Sequence, residues 1–230
     1  MSPPDAPRWL VCIAAPKEAE AVLRRRSPGG APSIWEPLDL PDAEIVLTGV
    51  GKASAAAAAA RFYDPTRHAG VLSIGIAGAL PGSGLEPGDS VLALPSLFSD
   101  EGSVTPRGFL SLDAMGFGAD APPSLPDNRS RDALSPLVER VEPVATVSVC
   151  SGTDVWASDT ARRTGAAAEA MEGAAVALAV RRVNPDARFA ELRVISNTTG
   201  DRRRQVWDLG RAFDRLGDLF PDALAALIAR

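Results

Sequence analysis

With one histidine, His68 in the polar stretch YDPTRHAG, and two cysteines among 230 residues, this chain holds few of the side chains that usually carry enzyme chemistry. A multi-histidine metal site is excluded by count, and a Ser-His-Asp triad would have to run through His68. Carboxylates, amides and backbone groups remain. Three of them stand where the sequence pattern changes: Glu18 just after a buried apolar run, Glu172 behind Met171 at the start of a helical pattern, and Asn197 at the end of another apolar run. Each also has an ordinary use. Glu172, or Glu169 three residues earlier, would gain about 0.3–1 kcal/mol at a helix N-terminus, and Asn197 suits the cap of a turn.

The glycine turns are the next candidates. TGVGKAS suggests a phosphate loop, but that motif needs Gly at position 46, which is Val46, and Ser or Thr at position 53, which is Ala53. The pairs Gly49/Gly51 and Gly75/Gly78 do not complete a dinucleotide-binding fingerprint, since Ser54 takes the last glycine position of the first. Both pairs suit tight strand-to-helix turns, and for GVG a ligand role stands equally open.

The elements that would position these groups follow a β-α pattern. RWLVCIAA (8–15) predicts a strand buried on both faces, and APKEAEAVLRRR a helix with an acidic first turn and a basic last turn. IVLTGVG (45–51) then leads into an alanine-rich helix, and GVLSIGIAGAL (70–80) repeats the strand-and-glycine pattern. Further strands are expected at 90–98, 143–150 and 187–197, with helices at 130–140, 172–183 and 210–229. Residues 99–128, rich in Gly, Pro, Asp and Ser, read as a long functional or mobile loop. The fold class expected is α/β, one three-layer αβα domain over 1–230 with a central twisted mixed sheet.

Composition narrows the partners. The net charge of −5 and dispersed arginines make a poor footprint for nucleic acid. No apolar run approaches the roughly 20 residues of a membrane span. The N-terminal MSPPDAPRW lacks the layout of a secretory signal, so a cytoplasmic protein is expected. Cys12 and Cys150, each within a β-type run, read as buried reduced thiols.

Taken in order, IAAPKEAEAV (13–22), LTGVGKASAAAA (47–58), SIGIAGAL (73–80), EAMEGAAVA (169–177) and ELRVISNTTGD (191–201) resemble the purine nucleoside phosphorylase and methylthioadenosine nucleosidase superfamily over nearly the whole chain. Within it, the tail ISNTTGDRRRQVWD is most similar to that of the futalosine hydrolases, which release hypoxanthine from futalosine in a route to menaquinone. The resemblance implies a metal- and cofactor-independent N-ribosyl hydrolase that acts on a purine nucleoside and assembles as a homo-oligomer. It implies Glu18, rather than Glu20, as the base that activates water, Met171 and Glu172 as the grip on ribose, and Gly78 and Ser196 as further substrate contacts.

The resemblance also places Asn197 where adenine-specific relatives carry Asp, and Trp156 within one residue of an aromatic that stacks on the purine. An amide cannot protonate adenine at N7, but it can donate to N7 or O6 and accept from N1–H of a 6-oxopurine, which favours hypoxanthine or guanine. Phosphorolysis would need cations where Glu18 stands. Ile76 replaces a serine frequent in related nucleosidases, which removes any contact made through that hydroxyl. Phe109 in the long loop is a candidate lid, and Arg202, Arg203 or Arg204 a candidate contact to a substrate carboxylate.

Overall fold

The computed structural model describes residues 8–26, 30–118 and 122–229. Residues 1–7, which bear on the absence of a secretory signal, lie outside them, as do 119–121 of the long loop. In chain order the elements are β1 (Arg8–Ile13), α1 (Pro16–Leu23), β2 (Leu38–Asp39), β3 (Ala43–Leu47), α2 (Lys52–Phe62), β4 (His68–Ala79), β5 (Ser90–Phe98), β6 (Gly102–Thr105), β7 (Gly108–Ser111), α3 (Asn128–Leu134), β8 (Arg140–Thr146), α4 (Asp154–Thr164), β9 (Ala168–Ala170), α5 (Gly173–Val183), β10 (Phe189–Thr198) and α6 (Leu209–Ile228).

Alternation along β1 builds three layers. Trp9, Val11 and Ile13 pack with Val22 and Leu23 of α1 and with Leu216, Phe220 and Leu224 of α6. Leu10 and Cys12 face the other way, onto Ala55, Ala58 and Ala59 of α2 and Val176 and Val180 of α5. A strand covered on both faces has no polar side to show, which is why RWLVCI reads as one apolar run.

The mixed sheet has the order β10-β5-β8-β9-β4-β1-β3-β2, and β10 pairs with β4 as well. The 12-residue β4 is thus held on both flanks. β10 runs parallel to it from Val71 to Ala79, while the other flank is taken first by β1 and then, at Gly78 and Ala79, by β9. Strands β4, β10, β5, β8 and β9 therefore close on themselves, and β1, β3 and β2 extend the sheet from β4.

Several expectations are corrected. The long loop contains the hairpin β6–β7. Gly75 and Gly78 lie inside β4 rather than at a strand-to-helix turn, and no helix follows. The strand expected at 143–150 ends at Thr146, so Cys150 is exposed, whereas Cys12 is buried as expected. Helix α1 stops at Leu23, before the arginines expected in its last turn; Arg24 instead pairs with Asp214 and Asp218 of α6. Among the described residues no helix is long and apolar enough to cross a membrane.

Candidate active site

A cavity of about 270 Å³ opens where β1, β4 and β10 end. Open α/β sheets bind ligands at this carboxyl edge, because the loops leaving the strands diverge there and expose backbone groups. Glu18, Gly78, Met171, Glu172, Ser196 and Asn197 all line it. The structure therefore gathers into one space residues from four distant parts of the chain.

Glu18 sits in the first turn of α1 and is 4% exposed, whereas Glu20 faces solvent. One carboxylate oxygen accepts the Ala15 N–H at 2.8 Å and the other the Ile76 N–H, also at 2.8 Å. The contact with β4 is thus made by the backbone of residue 76 and does not need a serine side chain there. Gly75 makes the approach possible: a Cβ at that position would stand 2.5 Å from Glu18 Oε1 and 2.8 Å from Arg193 Nη1. Burial raises the pKa of Glu18 above its ordinary value, opposed by the Arg193 charge and the Ile76 amide and reinforced by Glu172. A carboxylate seated this way is fixed in direction yet avid for a proton.

Glu172 is the N-cap residue of α5 and is 6% exposed. One oxygen accepts the Gly51 N–H at 3.1 Å, which ties the GVG turn to the site, and the other lies 3.2 Å from Arg193 Nη1 and accepts the Met171 N–H at 3.3 Å. Four acceptor positions minus these partners leave room for a hydroxyl. Arg193 on β10 has a partner at each nitrogen: besides the Nη1 contact with Glu172, Nε donates to Glu191 at 2.8 Å and Nη2 to Ser73 at 3.1 Å. Burial disfavours its charge, but Glu191, Glu172 and Glu18 outweigh burial and raise its pKa.

At the other end, Asn197 is 7% exposed on β10. Its Nδ2 donates to Thr198 O at 2.9 Å, and its Oδ1 lies 2.8 Å from Ser196 Oγ. One amide hydrogen and one acceptor position stay available. The chain then returns antiparallel past this point, pairing Trp207 with Asn197, so that Gln205, Trp207 and Phe213 complete the wall with Val50.

Sequence reasoning missed several of these groups. Glu169 is set aside there as a helix N-terminal acid, but it lies on β9, buried and lining the cavity. Trp207 was within reach as the one aromatic of the tail motif. Trp156, by contrast, does not join the cavity; it lines a separate recess with Val104, Phe109, Asp159 and Arg163. Phe109 is covered by the Arg163 guanidinium, 4.4 Å from the ring centroid. Of the three arginines, Arg202 lines the cavity, while Arg204 pairs with Asp154 and Asp201, and Arg203 lies near Asp201. Among the described residues no cluster of His, Cys, Asp and Glu suits a metal ion.

The chain was compared with known proteins. The family model of the phosphorylase superfamily matches residues 42–229. A futalosine hydrolase from Acidothermus cellulolyticus is 35% identical over 183 residues, 77% of this chain and 73% of that protein. Another, from Streptomyces coelicolor, is 34% identical over 227 residues, 91% of this chain and 92% of that protein. Among solved structures, a 5′-methylthioadenosine/S-adenosylhomocysteine nucleosidase from Colwellia psychrerythraea, in complex with adenine, superposes with a TM-score of 0.78 at 20% identity, covering 96% of both chains. That last likeness speaks for the fold.

Proposed function

We propose that this chain, which belongs to the phosphorylase superfamily, hydrolyses the N-ribosidic bond of a 6-oxopurine nucleoside, with futalosine as substrate and hypoxanthine as the base released. The observation that carries the reading is the placement of a buried, backbone-held Glu18 in the same cavity as Glu172 and Asn197.

In this reaction Glu18 takes a proton from the water that adds to C1′, while the bond from C1′ to N9 breaks and the base leaves with its electron pair. Glu172 accepts from a ribose hydroxyl and its charge favours the cationic sugar of the transition state. Met171 packs on the sugar, and Gly78 leaves space for the base beside Ser196 and Asn197. The remaining Asn197 amide hydrogen donates to N7 or O6 and spreads the negative charge of the departing purine.

Water rather than phosphate is favoured by charge. The cavity carries Glu18, Glu169 and Glu172, and among the described residues its one basic lining residue is Arg202, whose backbone N–H is bonded to Gly152 O. An anion entering beside Glu18 would meet like charge. The test is purine release from futalosine, inosine and methylthioadenosine, each with and without phosphate. Phosphate-independent release of hypoxanthine from futalosine is expected; a requirement for phosphate, or preference for methylthioadenosine, overturns the assignment.

The enzyme works as a homo-oligomer in the cytoplasm. Supporting the first point, Val104, Leu110, Val155 and Trp156 expose apolar surface around the β6–β7 hairpin. Sedimentation velocity of the purified chain tests it, and a monomer at micromolar concentration would refute it. Supporting the second, both cysteines are free thiols; recovery of the protein from a secreted fraction would refute it.

A further inference from the structure

Glu169 is a buried carboxyl group that the proposed mechanism leaves without work. It is 5% exposed, and among the described residues no arginine or lysine pairs with it. A buried carboxylate without a cation is costly unless hydrogen-bond donors surround it. Ser151 supplies two, its N–H to Oε1 at 2.7 Å and its hydroxyl to Oε2 at 2.5 Å. One acceptor position on each oxygen is left over, on a side chain that lines the cavity.

Its position along β4 says what that acceptor meets. Glu18 is bonded to residue 76 of that strand, whereas Glu169 is the register partner of Gly78 on β9. Two strand residues, about 7 Å, thus separate the water-activating end from the Glu169 end. At Gly78 a Cβ would lie 3.4 Å from Asn197 Nδ2 and 3.6 Å from Glu169 Cγ. The Glu169 side chain and the Asn197 amide therefore flank the same glycine, at the end of the cavity where the base belongs. With the Asn197 amide donating to N7, the N1–H on the opposite edge of the purine needs a second acceptor.

We propose that Glu169 is a specificity-determining residue: its carboxylate accepts N1–H of a 6-oxopurine while Asn197 donates to O6 or N7. The assignment rests on the hydrolase reading above. A 6-oxopurine carries a hydrogen on N1. A 6-aminopurine carries a lone pair there, which a carboxylate repels, so the same contact that admits one base excludes the other. Burial raises the pKa of Glu169, with Ser151 opposing; protonation on acidification converts the acceptor into a donor and weakens the preference.

The experiment compares inosine with 1-methylinosine, in which a methyl group replaces the N1 hydrogen, on wild type, Glu169→Gln and Ser151→Ala, the methyl's bulk being common to all three proteins. The reading of kcat/KM in wild type is expected to show an N1-methylation penalty of about 10- to 100-fold, the worth of one hydrogen bond to a charged group. That penalty is expected to fall to within about threefold in Glu169→Gln, with 6-aminopurine nucleosides gaining relative to inosine. In Ser151→Ala, where the carboxylate is retained but held by one bond fewer, an intermediate penalty is expected. An equal penalty in wild type and both variants, or none in wild type, overturns the role of Glu169. Absence of wild-type turnover on every 6-oxopurine nucleoside, futalosine included, refutes instead the hydrolase reading on which it rests.

Discussion

Replacing Glu18 with Gln separates what this carboxylate does for chemistry from what it does for folding. Both of its oxygens accept backbone N–H groups, from Ala15 and Ile76. A glutamine can accept only one of them and turns its NH2 toward the other. One buried donor is then unpaired, at a cost of about 1–3 kcal/mol. Against this, the substitution removes a buried charge. Because the folded-state pKa of Glu18 is raised above 4.5, ionisation costs stability at every pH above that window, and the neutral amide recovers it. The two effects oppose, so the melting temperature is expected to move by only a few degrees.

Turnover has no such compensation. An amide takes no proton from water, and loss of a general base costs about 10²–10⁴ in rate, or about 2.7–5.4 kcal/mol of barrier. The assay is hypoxanthine release by absorbance, with hypoxanthine affinity measured by calorimetry on the same samples. Expected are a kcat reduced at least about 100-fold, base affinity within about threefold of wild type, and loss of the acid limb that Glu18 imposes on the wild-type pH profile. A variant with kcat within threefold of wild type would remove Glu18 from the chemistry.

Three further outcomes are expected. Asn197→Asp should lower kcat/KM for the 6-oxopurine nucleoside and raise that for methylthioadenosine, about 10-fold or more in their ratio, because a carboxyl can protonate N7 of adenine where an amide cannot; an unchanged ratio counts against base reading at residue 197. Gly173→Ala should destabilise by several kcal/mol, about 3 or more, since its Cβ would fall 1.8–2.2 Å from the Glu191 carboxylate atoms in the core; a melting temperature equal to wild type would contradict that packing. His68 is completely enclosed, with Nδ1 accepting the Asp64 N–H, Nε2 facing Glu44, and Arg8 and Arg67 nearby. Burial lowers its pKa below 6.5, so stability should be level above about pH 6.5 and fall below it by up to about 1.4 kcal/mol per pH unit, a slope that His68→Gln should lack in denaturant titrations.

Much of the frame is legible in the residues themselves. β1, β4 and β10 are long apolar runs because helices or strands cover them on every side, and α6 announces itself by its helical spacing of Leu and Phe. What escapes is short or defined by neighbours. β9 has three residues and exists because β4 and β8 offer it partners; without it Glu169 looks like a helix-capping acid. Helix α4, DVWASDTARRT, has little apolar character to mark it. Gly75 and Gly78 look like turn formers, since a sequence does not show which side chains will need the space a glycine leaves. The meeting of Glu18, Glu172 and Asn197 was legible only through the motif series, because residues up to 179 positions apart are joined by topology rather than by local pattern.

Strand β4, paired with β10 along one flank and with β1 and then β9 on the other, is the floor on which these groups stand, and in the gap between those two partners the Glu18 carboxylate takes the Ile76 N–H. The most open part of the cavity's lining comes from outside the sheet, in Val50, Trp207 and Phe213, and a nucleoside enters past these side chains. An inhibitor that grips those three would trade selectivity among nucleosides for residence time, whereas one that grips the strand would inherit the enzyme's own choice of base.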